Sequence, residues 1–182
     1  SDNMYRDTSA WYHHVLTFDS TESTQADRLK IYVNGERITS FSVESVTAGI
    51  GASEDFSFIN QSGIVQAFGG LSGIGHGTEG TDNQMAEIVF NDGQAYGPDS
   101  YGETKNGVWI PKDPSGLTFG DNGYWLNFAA SGDLGNDVSG NNNDFTVANI
   151  AASDQMLDSP TFNSDSNGGN FATYNPLSPT TN

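Results

Sequence analysis

The chain has 182 residues, of which 23 are acidic and 6 are basic, so its formal net charge at pH 7 is −17. Neutralising phosphates requires patches of lysine and arginine, so this balance argues against a nucleic-acid partner. The chain has no cysteine, which excludes disulfides, thiolate metal ligands and cysteine nucleophiles. No apolar run is long enough to span a membrane. The 22 glycines and the hydrophobic content of 35% favour short strands joined by many turns.

The clearest secondary-structure pattern lies between Trp11 and Ile38. Residues 11–18 and 29–33 alternate large apolar side chains with smaller or polar ones, which predicts two half-buried strands. Both residues of Asn34-Gly35 tolerate positive φ, so this pair predicts a two-residue type I′ hairpin. We expect the two segments to pair antiparallel, with residues 19–27 as an exposed loop. One buried face is expected from Trp11, Val15, Leu29, Ile31 and Val33 or their alternates.

Shorter apolar segments follow along the chain. They predict strands at 41–43, 56–59, 64–68, 85–90, 124–128 and 145–147, with a helical turn starting at Pro98 and a short apolar segment, ended by proline, at 108–111. The glycine-rich stretch 71–83, which contains His76, predicts a long loop. We therefore expect one β-domain over residues 1–150.

The composition changes at residue 151, after which Ser, Asn, Asp and Pro dominate. This composition predicts an extended arm over residues 151–182. Its apolar residues Phe162, Phe171, Tyr174 and Leu177 are the expected anchors. We expect them to dock either on the chain's own domain or on a neighbouring chain.

Residues 133–144, with the sequence DLGNDVSGNNND, form the densest polar cluster of the chain. Carboxylate and amide oxygens on a tight loop suit Ca²⁺, which takes about six to eight oxygen ligands. The cluster lacks the terminal glutamate of an EF-hand loop. The candidate ligands are Asp133, Asp137, Asn141, Asn143 and Asp144. The alternative is that these side chains build turns through hydrogen bonds to the backbone.

No catalytic motif is visible in the sequence. Two carboxylates on one strand, spaced as in a retaining glycosidase, are absent, because Glu54 and Asp55 are adjacent and Glu87 stands alone. His13 and His14 would point to opposite faces of a strand, so they would not share a metal. We expect no enzymatic activity. Sugar binding would need flat aromatic side chains, and the candidates are Tyr96, Tyr101, Trp109 and Tyr124, with packing in the core or turns as the alternative.

A family resemblance rests on several of these stretches. Trp-Tyr-His-His-Val-Leu-Thr-Phe-Asp from residue 11 and Leu-Lys-Ile-Tyr-Val-Asn-Gly from residue 29 resemble the central strands of laminin-G and pentraxin-type domains. Residues 85–95, 137–145 and 170–177 then resemble, in that order, laminin-G-like proteins of marine bacteriophages. The resemblance covers most of the chain, while residues 48–82 match only loosely.

The resemblance implies an all-β, concanavalin-A-like jelly-roll sandwich of laminin-G type. Several strands usually precede the Trp-Tyr-His strand in that family, so the fold is expected either to be incomplete at its N-terminus or to be completed by the C-terminal half of the chain or by a neighbouring chain. The implied function is a non-enzymatic bacteriophage virion protein, such as a capsid decoration, knob or tail-fibre module that contacts host glycans. Its implied partners are copies of itself and other virion proteins.

Two alternatives remain open at this point. The first is a laminin-G-like carbohydrate-binding or adhesion module of a secreted or cell-surface bacterial protein. The second is a jelly-roll glycanase whose catalytic strand lies outside this chain.

Overall fold

The computed structural model describes residue 7 and residues 10–41, 50–55, 59–69, 83–156 and 159–160. The described strands are β1 (His14–Phe18), β2 (Leu29–Val33), β3 (Glu36–Arg37), β4 (Ile88–Phe90), β5 (Gly102–Lys105), β6 (Val108–Pro111) and β7 (Tyr124–Leu126). All helical structure in these ranges consists of single 3-10 turns at Gln25–Asp27, Pro98–Ser100 and Ala152–Asp154. The fold class is therefore all-β, and the predicted turn at Pro98 is confirmed.

Strands β1, β2 and β3 form one antiparallel sheet in that order. The predicted pairing is confirmed, with Leu16 opposite Ile31, although the first strand begins at His14 rather than at Trp11. Asn34 and Gly35 join β2 to β3 with φ angles of 50° and 82°. Both angles are positive, as a type I′ turn requires.

The register corrects the expectation of one buried face. Directly opposed side chains share a face, and Val15 lies opposite Tyr32. Val15 is therefore on the other side of the sheet from Leu29 and Val33, and all three are buried. Buried residues therefore lie on both faces of this sheet, so the apolar pattern did not identify one buried face.

Two further antiparallel pairs complete the described sheets. Strand β4 pairs with β7, and β5 pairs with β6. The turn between β5 and β6 is a second Asn-Gly pair, Asn106-Gly107, with φ angles of 53° and 81°. The buried apolar residues of the described chain are Val15, Leu29, Val33, Ile38, Phe119, Trp125, Leu126 and Leu134.

Some predicted strands are wrong. Residues 64–68 form no strand pairing within the described chain, and Val65 is 63% exposed. Residues 145–147 also lack strand pairing there. An apolar, β-branched segment suits a sheet, but a strand forms only where a partner edge meets it.

Several expectations fall outside the described residues. The predicted strands 41–43 and 56–59 do so in part, and His76 and the four anchors of the C-terminal arm do so entirely. No helix within the described ranges has the length and apolar character needed to cross a membrane.

Candidate functional site

The carboxylate of Asp137 is the best-satisfied polar group of the 133–144 loop, and the residue is only 6% exposed. Its Oδ1 accepts hydrogen bonds from the backbone N–H groups of Trp125 and Ser139, both at 2.8 Å. Its Oδ2 accepts from the Ser139 hydroxyl and from the backbone N–H of Asn143, both at 2.9 Å. Burial raises the pKa of Asp137, but these donors together bring the pKa below its ordinary value.

The two candidate asparagines use their amide nitrogens as donors. Nδ2 of Asn141 donates to the carbonyls of Gly120 and Gly123 at 2.6 and 2.9 Å. Nδ2 of Asn143 donates to the carbonyls of Asp121 and Gly123 at 3.1 and 2.9 Å. These bonds fasten the loop to the turn that leads into β7.

The remaining candidate ligands lie at the edges of this network. Asp144 accepts the backbone N–H of Asp137 at 2.8 Å through its Oδ1, and Asp133 is exposed. In the described part of the chain, no three side chains of His, Cys, Asp or Glu come together in a way that would hold a metal ion. The hydrogen bonds support the turn-building role of the loop. Calcium binding by the loop stays a prediction.

A groove of about 590 Å³ lies between the β2–β3 and β5–β6 hairpins, and we call it the tryptophan groove. Both Asn-Gly hairpins contribute to its walls. Its lining residues are Trp11, Val33, Asn34, Glu36, Ile38, Thr104, Gly107, Val108 and Trp109. It thus combines two half-buried indole rings with a carboxylate, an amide and a hydroxyl.

The indole of Trp109 is positioned by two glycines and a histidine. A Cβ at Gly102 would lie 2.6 Å from its ring, and a Cβ at Gly35 would overlap the same ring from the other hairpin. The indole Nε1–H donates to Nδ1 of His13 at 2.9 Å. His13 is itself fixed to the first hairpin, because its backbone N–H donates to Oδ1 of Asn34 at 2.9 Å and its carbonyl accepts the Asn34 N–H at 2.8 Å. The indole of Trp109 is therefore held between the two hairpins by glycine backbone and by a hydrogen bond to His13.

Of the four aromatic candidates for sugar binding, only Trp109 lines the tryptophan groove. Tyr96 and Tyr101 meet edge-on, with ring centroids 6.4 Å apart. Tyr124 packs edge-on against Phe145 at 4.8 Å. Burial raises the pKa of Tyr101 and of Tyr124 to about 12. These three tyrosines therefore take the packing role that was the alternative for them.

Sequence reasoning missed the rest of the groove. Trp11 was expected on a buried sheet face, but it lies before β1 and lines the groove. The turn at Asn106-Gly107 has the same residue pair as the turn at Asn34-Gly35, so the hairpin rule applied at the first turn would have found the second wall. The meeting of the two hairpins has no local signature, since His13 and Trp109 are 96 positions apart.

His13 gives this site a pH dependence. Burial, and to a lesser degree the neighbouring His14, lowers the pKa of His13 below its ordinary value. The native state then binds fewer protons than the unfolded state, so stability is fully present at neutral pH. Stability falls as the pH drops below about 6.5, and it is lost progressively until the native pKa is reached. Protonation of Nδ1 also removes the acceptor of the Trp109 N–H.

We expect acidification to lower the melting temperature and to change the tryptophan fluorescence together. His13→Asn keeps an acceptor near the position of Nδ1 and removes the titration, so it should flatten both responses. His14→Asn is the matched control and should retain them, because it leaves the hydrogen bond to Trp109 in place. Equal pH responses in wild type and His13→Asn would contradict this assignment.

The tryptophan groove joins aromatic and polar groups in one concave surface, whereas in the 133–144 loop the carboxylates of Asp137 and Asp144 accept hydrogen bonds that build the turn. The groove is therefore the stronger candidate for a binding site. No protein-family model matches the chain, and neither a search of curated proteins nor a search of solved structures finds a match.

Proposed function

We propose that the chain is a non-enzymatic adhesion or structural protein of a bacteriophage virion, and that it contacts host-surface glycans through the tryptophan groove. The placement in a virion is supported by the resemblance of residues 85–95, 137–145 and 170–177 to laminin-G-like proteins of marine bacteriophages. The same resemblance supports a concanavalin-A-like jelly roll as the finer description of the all-β fold. In this proposal, copies of the chain and other virion proteins are its assembly partners.

The observation that carries glycan contact is the pairing of Trp11 and Trp109 in one groove. The C–H face of a pyranose ring is apolar and flat, so it packs against an indole ring. The hydroxyls at the ring edge need polar partners, and Asn34, Glu36 and Thr104 line the same groove. The volume of about 590 Å³ falls within the range of about 300–1,000 Å³ that is common for small-molecule sites. One or two sugar rings fit this description.

Binding to a glycan array, followed by titration of the best ligand, tests the proposal. Tryptophans dominate binding energy at many interfaces, so Trp11→Ala should weaken binding by about tenfold or more. Trp11 lies before β1, outside the described sheets, which makes this change mild for the fold. Trp109→Ala should weaken binding at least as much.

Phe68→Ala is the matched control, because Phe68 is an aromatic side chain that is 42% exposed and does not line the groove. It should leave glycan binding unchanged. The proposal fails if the wild type binds no glycan, or if the Phe68 and Trp11 variants lose binding equally.

A further inference from the structure

One charged side chain, that of Glu36, stands among the described residues that line the tryptophan groove, and its charge is negative. The ion pairs of the described residues are Lys30 with Glu22 at 2.8 Å and Arg37 with Asp27 at 2.7 Å, and Glu36 takes part in neither. Glu36 is an exposed residue, so its carboxylate can reach a ligand in the groove.

No cationic side chain is among the described residues that line the groove. Lys105 lies directly opposite Val108, which lines the groove, so it shares the face of Val108, but it is not itself a lining residue. His13 is bonded to Trp109, because its Nδ1 accepts the indole N–H. This hydrogen bond requires Nδ1 of His13 to be unprotonated. His14 is exposed on β1 and is not part of the lining. The net charge of −17 adds a negative field around the whole site.

Two indole rings and a carboxylate that line one groove suit the recognition of a cation. The face of an indole ring is the negative pole of its quadrupole, and tryptophan is the best aromatic partner for an ammonium group. The carboxylate adds a direct Coulomb attraction, which is screened by salt over about 10 Å at 0.1 M ionic strength. A neutral sugar would use only the stacking surface, and an acidic sugar would be repelled.

We propose that the tryptophan groove selects glycans that carry a free, protonated amino group, such as β-linked oligomers of glucosamine, over their N-acetylated counterparts. The inference rests on the proposed glycan function and names the class of ligand. The sugar ring stacks on one indole, and the ammonium group lies between the indole faces and the carboxylate of Glu36. Acetylation removes the charge while it preserves the ring and the linkage.

Titrating the whole chain with the glucosamine tetramer and with the N-acetylglucosamine tetramer tests this inference. In mildly acidic, low-salt buffer we expect the amino form to bind about tenfold more tightly. Glu36→Gln should remove most of that preference and leave the affinity for the acetylated form unchanged. Added salt should reduce the preference in the wild type and have little effect in the variant.

Glu103→Gln is the matched control, because Glu103 is an exposed glutamate on β5 outside the groove lining. It removes the same charge from the molecule and should retain the preference. Equal affinities for the two tetramers overturn the charge selection and leave glycan binding in place. An equal loss in both glutamate variants also overturns it, because the attraction would then come from the net charge alone. Binding of neither tetramer, together with an empty glycan array, overturns the proposed function itself.

Discussion

Replacing Asp137 by alanine is expected to lower the free energy of unfolding by about 3–5 kcal/mol, because it leaves buried donors without an acceptor. Three backbone N–H groups, from Trp125, Ser139 and Asn143, donate to this carboxylate. Once β7 and the loop have folded, water does not readily replace an acceptor that is only 6% exposed. Urea denaturation of the wild type and the variant measures the difference.

Asp133→Ala is the matched control for that measurement. Asp133 belongs to the same loop, but it is exposed, so its removal should change stability by no more than about 0.5 kcal/mol. Asp137→Asn should fall between wild type and alanine, because one oxygen remains and an NH₂ group then faces N–H donors. Equal stabilities of the Asp133→Ala and Asp137→Ala variants would show that the hydrogen bonds to Asp137 contribute little.

Melting these proteins with and without EDTA also tests the predicted calcium site. A cation bound only to the native state raises the melting temperature by mass action. If the loop holds calcium, EDTA should lower the melting temperature of the wild type and have no effect on the Asp137→Ala variant. Unchanged melting of the wild type assigns the loop to turn building alone.

Gly123→Ala is expected to destabilise the protein by about 3 kcal/mol or more, at the upper end of what overpacking usually costs. A Cβ at this buried position would overlap the carbonyl oxygen of Phe119 and would lie 2.8 Å from that of Phe90. Both obstacles are backbone atoms, which cannot turn aside as a side chain can. The Gly123 carbonyl also accepts the amides of Asn141 and Asn143, so any shift there disturbs the loop.

Gly116→Ala is the appropriate comparison, because a Cβ at Gly116 would meet no atom within 4 Å. It should be neutral or slightly stabilising, since alanine restricts the unfolded chain. Thermal melting of the two alanine variants side by side separates the steric effect from the general effect of removing a glycine. Similar melting temperatures would show that the turn before β7 adapts easily.

The parts of the fold that could be predicted from the sequence are those set by neighbouring residues. The β1–β2–β3 sheet was predictable, because alternation and the Asn34-Gly35 pair act over a few positions. The apolar residues 64–68 gave a wrong strand, since nothing in the local sequence shows whether a partner edge is present. At the site, the carboxylate and amide oxygens of residues 133–144 identified this loop as a candidate calcium site. The sequence did not show that Asn141 and Asn143 would turn their nitrogens towards the carbonyls of residues 120–123.

The groove could not be predicted from short stretches of the sequence, for a different reason. It exists because two hairpins that are distant in sequence meet, and Trp109 links them through His13. Of the residues that line the groove, Trp109 alone was predicted as a candidate for sugar binding. Neither Trp11 nor Glu36 had any pattern around it that distinguishes a groove residue from an ordinary strand residue.

The contact of Trp109 with two glycines also restricts how this sequence can diverge. Gly102 is needed only because an indole lies against it, so sequences that lose the indole at position 109 are free to change position 102 as well. Gly35 has a second constraint, its φ of 82°, and it should persist whatever residue occupies position 109. Among relatives of this chain, positions 102 and 109 should therefore vary together, while position 35 stays fixed.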